Sequence, residues 1–293
     1  MSDREIDEAS GVETTGHEWD GIRELDNPMP RWWLWTFYAT IVFALGYVIY
    51  YPAIPLWEQS TMGISGQTNR LQLKNELATA AEARRDQVTQ LREKSLEDIQ
   101  SDTNLNRFAV AGGASYYKVY CSQCHGSGAQ GGPGYPNLND DDWLWGGDLE
   151  AIYTTIAHGV RNGEDDDARD SVMPAFGTDE ILERQDIKRV TQYLLKISGS
   201  NYDQSLASIG EEIFADNCAA CHGNNGLGDR EIGAPNLVDA IWLYGGNAEK
   251  IEAQIYQPQH GVMPPWQTRL SDDVIKQLTL FVHSLGGGEE ASE

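Results

Sequence analysis

Two copies of one pentapeptide constrain this chain more than any other feature. They read C-S-Q-C-H at 121–125 and C-A-A-C-H at 218–222, and together they contain all 4 cysteines of the 293-residue sequence. Each copy is followed, in the same order, by Pro-Asn-Leu, Trp-Leu-Trp/Tyr-Gly-Gly, His-Gly-Val and Met-Pro. A set of landmarks that recurs in order indicates a duplicated domain.

The pentapeptide is the attachment pattern of a c-type haem, because its two thiols add to the two vinyl groups and the adjacent histidine reaches the iron. A zinc site would need cysteine pairs about 15 to 20 residues apart, and a thioredoxin-like dithiol would need a βαβ context. A disulfide would leave both histidines unexplained. The sequence therefore predicts two covalently bound haem c groups. The attaching and proximal residues are Cys121, Cys124 and His125 in the first copy, and Cys218, Cys221 and His222 in the second.

Each iron also needs a second axial ligand or an open site. Only two methionines follow Cys121, namely Met173 and Met263, one in each copy and each followed by proline. A thioether is a soft iron ligand that raises the reduction potential, so these methionines are the predicted sixth ligands. His158 and His260 are the rival ligands, although a structural or haem-edge role suits them better because they precede glycine in a turn-like segment.

Other residues near the pentapeptides have candidate supporting roles. The carbonyls of Pro136 and Pro235 are expected to orient the proximal histidine rings. Four aromatic residues are candidates for haem walls or for ordinary core packing: Trp143, Trp145, Trp242 and Tyr244. The acidic run 164–167 indicates a solvated loop, with docking or cation binding as the alternative.

The segment from Trp32 to Trp57 has no charged side chain, and about 20 apolar residues suffice to span a bilayer as a helix. Pro52 and Pro55 are expected to end that helix. A cleaved signal peptide fits less well, because a polar leader precedes the apolar segment and no small-x-small site follows it. Arg23 and Arg31 precede the helix, which predicts a cytoplasmic N-terminus and an exported remainder.

Charge narrows the choice of partners. The formal net charge of -24 opposes nucleic acid and favours a basic partner. Strand signals in the exported part are nearly absent, so the expected fold is mainly α. The predicted layout is a cytoplasmic leader at 1–31, a transmembrane anchor at 32–57, a helical stalk or linker at 58–108, cytochrome c domains at 109–200 and 201–288, and an acidic tail at 289–293.

Within that layout, each copy is expected to begin with a helix before its cysteines and to close with an amphipathic helix. Ser208 and Glu211 form a capping-box pattern at the start of the second copy. The closing helices are predicted around 187–197 and 274–285 from their apolar spacing. Apolar residues of the stalk either meet their own domain or line the surface of a partner.

The leader 17–33 reads H-E-W-D-G-I-R-E-L-D-N-P-M-P-R-W-W. Together with the single anchor and the two C-x-x-C-H domains with G-V-M-P-type loops, it resembles the dihaem subunit of cbb3-type cytochrome c oxidase, the CcoP or FixP family. The resemblance covers about His17 to Gly286. It implies two tandem class I cytochrome c domains in a single-pass protein of the bacterial inner membrane, with the haems in the periplasm.

The same resemblance implies a function and partners. The family subunit takes electrons from a donor cytochrome c and passes them to a monohaem subunit and then to the catalytic haem-copper subunit, where oxygen is reduced. Axial pairs of His125 with Met173 and His222 with Met263 are implied. Tyr135 and Ala234 depart from the glycine that usually precedes Pro-Asn-Leu, and some members have a further transmembrane helix.

Two other functions remain open from the residues alone. A stand-alone, membrane-tethered dihaem shuttle would share the same haem ligands without a stable complex. A dihaem peroxidase would need an iron that opens to peroxide, against which the two methionines argue. In the oxidase interpretation, catalysis lies in another subunit, and membrane lipid surrounds the anchor.

Overall fold

The structure is a computed structural model that describes residues 4–290. These residues form two compact units, divided between Ala83 and Arg84. The secondary structure is mostly helical, which confirms the predicted fold class.

The first unit begins with a hairpin that the sequence analysis did not predict. Strands β1 (Thr14–Trp19) and β2 (Ile22–Leu25) pair antiparallel, with Trp19 opposite Ile22. The connecting Asp20 and Gly21 have φ angles of 51° and 84°. An Asp-Gly pair with both residues at positive φ is a favoured two-residue hairpin turn, because its twist matches that of the strands.

Helix α1 (Arg31–Tyr50) follows, and none of its 20 residues is buried within the protein. At 1.5 Å per residue its length is about 30 Å, which matches the hydrocarbon thickness of a bilayer. The helix ends before Pro52, as predicted. The segment without charged side chains continues to Trp57 and therefore extends beyond the end of the helix. The chain then folds back: the amides of Ile64 and Ser65 donate to the carbonyls of Ile49 and Tyr50, at 3.1 and 2.9 Å.

Ten further α-helices and one short 3-10 helix (Trp266–Thr268) complete the described part of the chain. The α-helices are α2 (Asn69–Glu93), α3 (Leu96–Ser101), α4 (Thr103–Tyr120), α5 (Ser122–His125), α6 (Leu149–His158), α7 (Arg184–Ile197), α8 (Gln204–Asn217), α9 (Ala219–His222), α10 (Ala248–Tyr256) and α11 (Asp272–His283).

Only part of the segment predicted as a stalk is exposed. Leu71 and Leu77 on α2 are exposed, whereas Leu91 is fully buried in a cluster that includes Leu149 and Leu280. The end of this segment therefore packs on its own domain, one of the two alternatives that the sequence left open.

Aspartates cap the two helices that lead into the pentapeptides. Asp102 accepts hydrogen bonds from two amides at the start of α4, and Asp203 does the same for α8. The capping box predicted at Ser208 is wrong, because α8 begins at Gln204 and the Ser208 hydroxyl donates to the Gln204 carbonyl inside it. A side-chain oxygen that satisfies free amides decides where a helix starts, and Asp203 lies one residue before the first turn.

The closing helices are exchanged between the two copies. Helix α7 of the first copy packs on α8 and α10 of the second, and α11 of the second copy packs on α4 and α6 of the first. The two closing helices therefore lie where the spacing predicted them, but each packs on the other copy. A connection of six residues from α7 to α8 makes this pair close neighbours in sequence, so it forms with little loop-closure cost.

Two glycines allow these helix crossings. A Cβ on Gly113 of α4 would lie 2.1 Å from the Gln277 carbonyl oxygen on α11, and a Cβ on Gly210 of α8 would lie 2.1 Å from the Arg189 carbonyl oxygen on α7. Both distances are far below van der Waals contact. The backbones of the exchanged helices therefore approach at positions where any side chain would separate them.

Candidate functional site

Each pentapeptide occupies one short helical turn at the end of a longer helix. Cys121 follows α4 directly, and the amide of His125 donates to the Cys121 carbonyl at 2.9 Å. Cys218 and His222 are related in the same way, at 3.0 Å. Residues three and four positions apart lie on one face of a helix, so each turn presents its thiols and its imidazole together.

The carbonyl partners predicted for the proximal histidines are confirmed. The Nδ1 atom of His125 lies 3.1 Å from the Pro136 carbonyl oxygen, and the Nδ1 atom of His222 lies 3.0 Å from that of Pro235. A ring N–H that donates to a backbone carbonyl fixes the tautomer and leaves Nε2 for a metal. Burial lowers the pKa of both histidines, which favours the neutral, ligating form.

Two of the four thiols lack the lowered pKa that is typical of a metal-thiolate or redox site. Burial raises the pKa of Cys121 and Cys218 to about 11, so both remain protonated at neutral pH. Reactive and metal-binding cysteines instead have lowered pKa values. All four cysteines are unpaired in the structure.

One cavity of about 1860 Å³ contains both sites. Both pentapeptides line it, as do Met173 and Met263. The four candidate wall residues line it too, while Trp143 and Trp242 also pack against the hydrophobic cores, so the wall and packing interpretations both hold.

Each methionine lies with the pentapeptide of the other copy. Met263 packs in the cluster of Cys121, and Met173 packs in the cluster of Cys218. Met263 and Val160 also exchange two backbone hydrogen bonds of 2.9 Å, which fasten the second methionine loop to the first copy. The pairing of His125 with Met173 and of His222 with Met263 disagrees with this arrangement, because the chain crosses over before each methionine.

One buried polar atom on the lining, Trp145 Nε1, tests whether a haem fits this cavity. Among the described residues, Trp145 Nε1 and Arg169 Nε are buried without a hydrogen-bond partner. The Arg169 guanidinium lies 5.5 Å from the centre of the Trp145 ring. An unpaired buried donor costs free energy, and a propionate carboxylate of a haem is an acceptor that would satisfy Trp145 Nε1. This donor, the thiols and the imidazoles together fit the group.

His158 and His260 have partners other than a metal. His158 Nδ1 lies 3.2 Å from both carboxylate oxygens of Asp165, and Gln267 Nε2 lies 3.1 Å from the same ring atom. Burial and the nearby Arg161 guanidinium lower the pKa of His260, while a hydrogen bond to the backbone of Met173 acts in the opposite direction. These contacts favour a structural role for both histidines. They also show that the acidic run is not simply solvated.

Sequence reasoning missed three residues beside the haem cavity: Arg161, Asn162 and Asp142. Arg161 and Asn162 begin a segment of twelve residues, 161–172, which separates His-Gly-Val from Met-Pro in the first copy only. Comparing the spacing of landmarks between the copies would have drawn attention to it. Asp142 lines the cavity, and burial, followed by repulsion from Asp239 and Asp140, raises its pKa to about 6.

Comparisons with known proteins agree with these features. Residues 11–58 match the family model for the N-terminal domain of cytochrome oxidase-cbb3, FixP, and residues 108–194 and 205–282 match that for cytochrome c oxidase, cbb3-type, subunit III. The chain is 54% identical to a cbb3-type cytochrome c oxidase subunit FixPc of Rhizobium leguminosarum bv. viciae, over 98% of this chain and 100% of the relative. It is 52% identical to subunit CcoP of Cereibacter sphaeroides, over 94% and 95% of the two chains.

The chain belongs to the subunit III family of cbb3-type cytochrome c oxidases. This confirms the resemblance noted in the sequence. As a member of the family, the protein is an electron-transfer component of an oxidoreductase complex and carries two haem c groups in its two cytochrome c regions. An N-terminal apolar helix, α1, anchors it to the membrane.

Proposed function

We propose that this subunit III relays electrons through two haems that share one cavity. The observation that carries the proposal is the lining of that cavity by both pentapeptides and both methionines. Haem c supplies the one-electron chemistry, and the protein supplies attachment, orientation and the tuning of potential. Two haems that share one cavity would be neighbours, and an electron relay needs its redox groups close together.

Cys121 and Cys124 would attach the first haem, and His125 and Met263 would ligate it. Cys218 and Cys221 would attach the second, and His222 and Met173 would ligate it. This crossed ligation is supported by the packing of each methionine with the pentapeptide of the other copy. Two histidine–methionine irons have no open position for peroxide, which supports electron transfer over peroxidase chemistry.

The proposed partners follow from charge and topology. Arg23 and Arg31 support a cytoplasmic N-terminus, which places the haem domains in the periplasm and α1 in the lipid of the inner membrane. The formal charge of -24 suits a basic donor cytochrome c, which it would attract over a distance that salt shortens. Electrons would leave for a monohaem cytochrome c subunit and a catalytic haem-copper subunit.

Gentle solubilisation of membranes followed by a native separation tests this proposal. We expect the protein to co-migrate with a second c-type subunit, a large polytopic subunit and oxygen-reducing activity. A variant without the second attachment site, Cys218→Ser with Cys221→Ser, is expected to co-migrate with less covalent haem and with little electron flow from the donor. Migration of the wild-type protein alone, with two covalent haems, would contradict the oxidase relay and favour a tethered shuttle.

A further inference from the structure

One arginine contacts both methionine loops. Arg161 Nε donates a hydrogen bond of 2.9 Å to the Gly261 carbonyl, and Arg161 Nη1 donates one of 3.0 Å to the Ser171 carbonyl. Gly261 lies two residues before Met263, and Ser171 lies two residues before Met173. The same guanidinium therefore holds the two loops at equivalent positions relative to their methionines.

The surroundings of Arg161 suit a structural clamp. The side chain lines the haem cavity and is partly buried, and this burial lowers its pKa. Both hydrogen-bond partners are main-chain carbonyls, which a planar guanidinium can bridge with two separate N–H groups. An ammonium group is a single point charge and cannot span two such carbonyls in a fixed fork.

The backbone at Arg161 is also held in an unusual conformation. Its φ of 48° lies in the left-handed region, which non-glycine residues seldom adopt. The Arg161 amide donates to the Arg169 carbonyl at 2.8 Å, and the preceding Val160 pairs with Met263. A strained conformation that surrounding contacts enforce is often found where a side chain must be aimed accurately.

We propose that Arg161 is a positioning residue for both axial methionines, so that one side chain couples the geometry of the two haem sites. The inference rests on the crossed ligation proposed above. Fixing the carbonyl two residues before each methionine limits the conformations of its loop. A methionine held in place loses less entropy on binding iron, so loosening the loop weakens the iron–sulfur bond.

The adjacent Asn162 provides a contrast within the same segment. Its Nδ2 donates to the His158 carbonyl at 2.8 Å and to the Met263 carbonyl at 3.3 Å. Only the second of these contacts reaches a methionine loop, that of Met263. Loss of the Asn162 side chain should therefore affect the first haem alone, whereas loss of the Arg161 side chain should affect both.

The test uses the full-length holoprotein and four substitutions. Arg161→Gly removes the guanidinium but tolerates the left-handed backbone, and Arg161→Lys keeps the charge. Asn162→Ala removes the contact to one loop, and Arg107→Gln removes an exposed positive charge on α4 as a matched control. Two readouts are compared: the methionine-to-iron charge-transfer absorption of the oxidised protein, and a redox titration that resolves the two haems.

For Arg161→Gly we expect both haems to lose charge-transfer absorption and both potentials to fall, with Arg161→Lys restoring at most part of either. Asn162→Ala should change one haem, and Arg107→Gln should change neither. A change at only one haem in Arg161→Gly, or at neither, would overturn the inference. After such a negative result, Met173→Leu and Met263→Leu show which part of the argument is wrong. Unchanged absorption in these two variants would mean that the methionines do not ligate the irons. Loss of the absorption would mean that the methionines ligate the irons and that only the proposed role of Arg161 is wrong.

Discussion

The two haem compartments have the same landmarks but hold their methionines differently. In the first, Met263 pairs with Val160 through two backbone hydrogen bonds, and a Cβ on Gly159 would lie 2.3 Å from the Met263 carbonyl oxygen. In the second, the chain after Met173 is fastened further along, where the amides of Gly177 and Thr178 donate to the Tyr256 carbonyl at 3.1 Å. The two copies therefore share the methionine of the repeated motif but differ in the backbone hydrogen bonds that hold its loop.

The comparison also shows that the two sequence copies do not fold as two separate domains. Each compartment combines a pentapeptide from one copy with a methionine and a closing helix from the other. Neither copy alone contains a complete site. We therefore expect the two compartments to depend on each other for stability, unlike independent tandem domains.

The largest expected effect is the loss of α11. A chain that stops after Ser271 keeps Met263 but loses Val274, Ile275, Leu278 and Val282 from the core beside Cys121. Each buried aliphatic side chain contributes about 1.5 to 3 kcal/mol, so the first compartment should not remain folded. Haem content per pentapeptide, measured by peptide mapping, should show a deficit at 121–125. A deficit confined to 218–222 would indicate that each copy closes on itself.

Substitution of the crossing glycines should have a smaller but matched effect. Gly113→Ala and Gly210→Ala each force a Cβ against backbone, and overpacking of this kind typically costs about 1 to 3 kcal/mol. Denaturant unfolding followed by tryptophan fluorescence measures the loss. Gly132→Ala is the control, because nothing lies within 4 Å of its Cβ. Equal stability of all three variants would argue against the close helix crossings.

The sequence was sufficient for the attachment sites, the anchor and the proximal carbonyls, because each depends on chemistry local to a motif. The partner of each methionine could not be obtained in this way. In the sequence, Met173 is nearer than Met263 to His125. The packing of α7 and α11 on the other copy nevertheless determines which methionine lies with which pentapeptide. The twelve residues 161–172 were visible as an insertion, but their contacts to both loops required the fold.

Asp142 distinguishes the copies by charge, since Ile241 occupies the matching position in the second. Its pKa rises from the ordinary value of 3.8 to about 6, mainly through burial, so its ionisation destabilises the folded state. The contribution of Asp142 to stability therefore falls as the pH rises from about 4 to about 6 and is constant above that. Asp142→Asn should be more stable than wild type by about 1 kcal/mol at pH 7, allowing for solvent screening, and equal to it near pH 3. Unfolding midpoints across this pH range check the sign, and identical pH profiles would contradict it.

The smallest expected effect is that of salt on the rate of electron transfer, and it depends on the negative charge of the whole surface. Electron transfer from a basic donor cytochrome should slow as ionic strength rises, because screening shortens the reach of the acidic field. Steady-state rates measured with a neutral small-molecule reductant provide the control. A flat salt response with the basic donor would remove the electrostatic argument for that partner.

Crossed ligation is tested most directly in variants that carry a single haem. In the background Cys121→Ser with Cys124→Ser, only the second haem is attached, and its charge-transfer absorption can be assigned without overlap. We expect Met173→Leu to abolish that absorption and Met263→Leu to leave it intact, with the opposite result when Cys218 and Cys221 are replaced instead. Loss of the absorption in Met263→Leu, with no change in Met173→Leu, would show that each copy ligates its own haem.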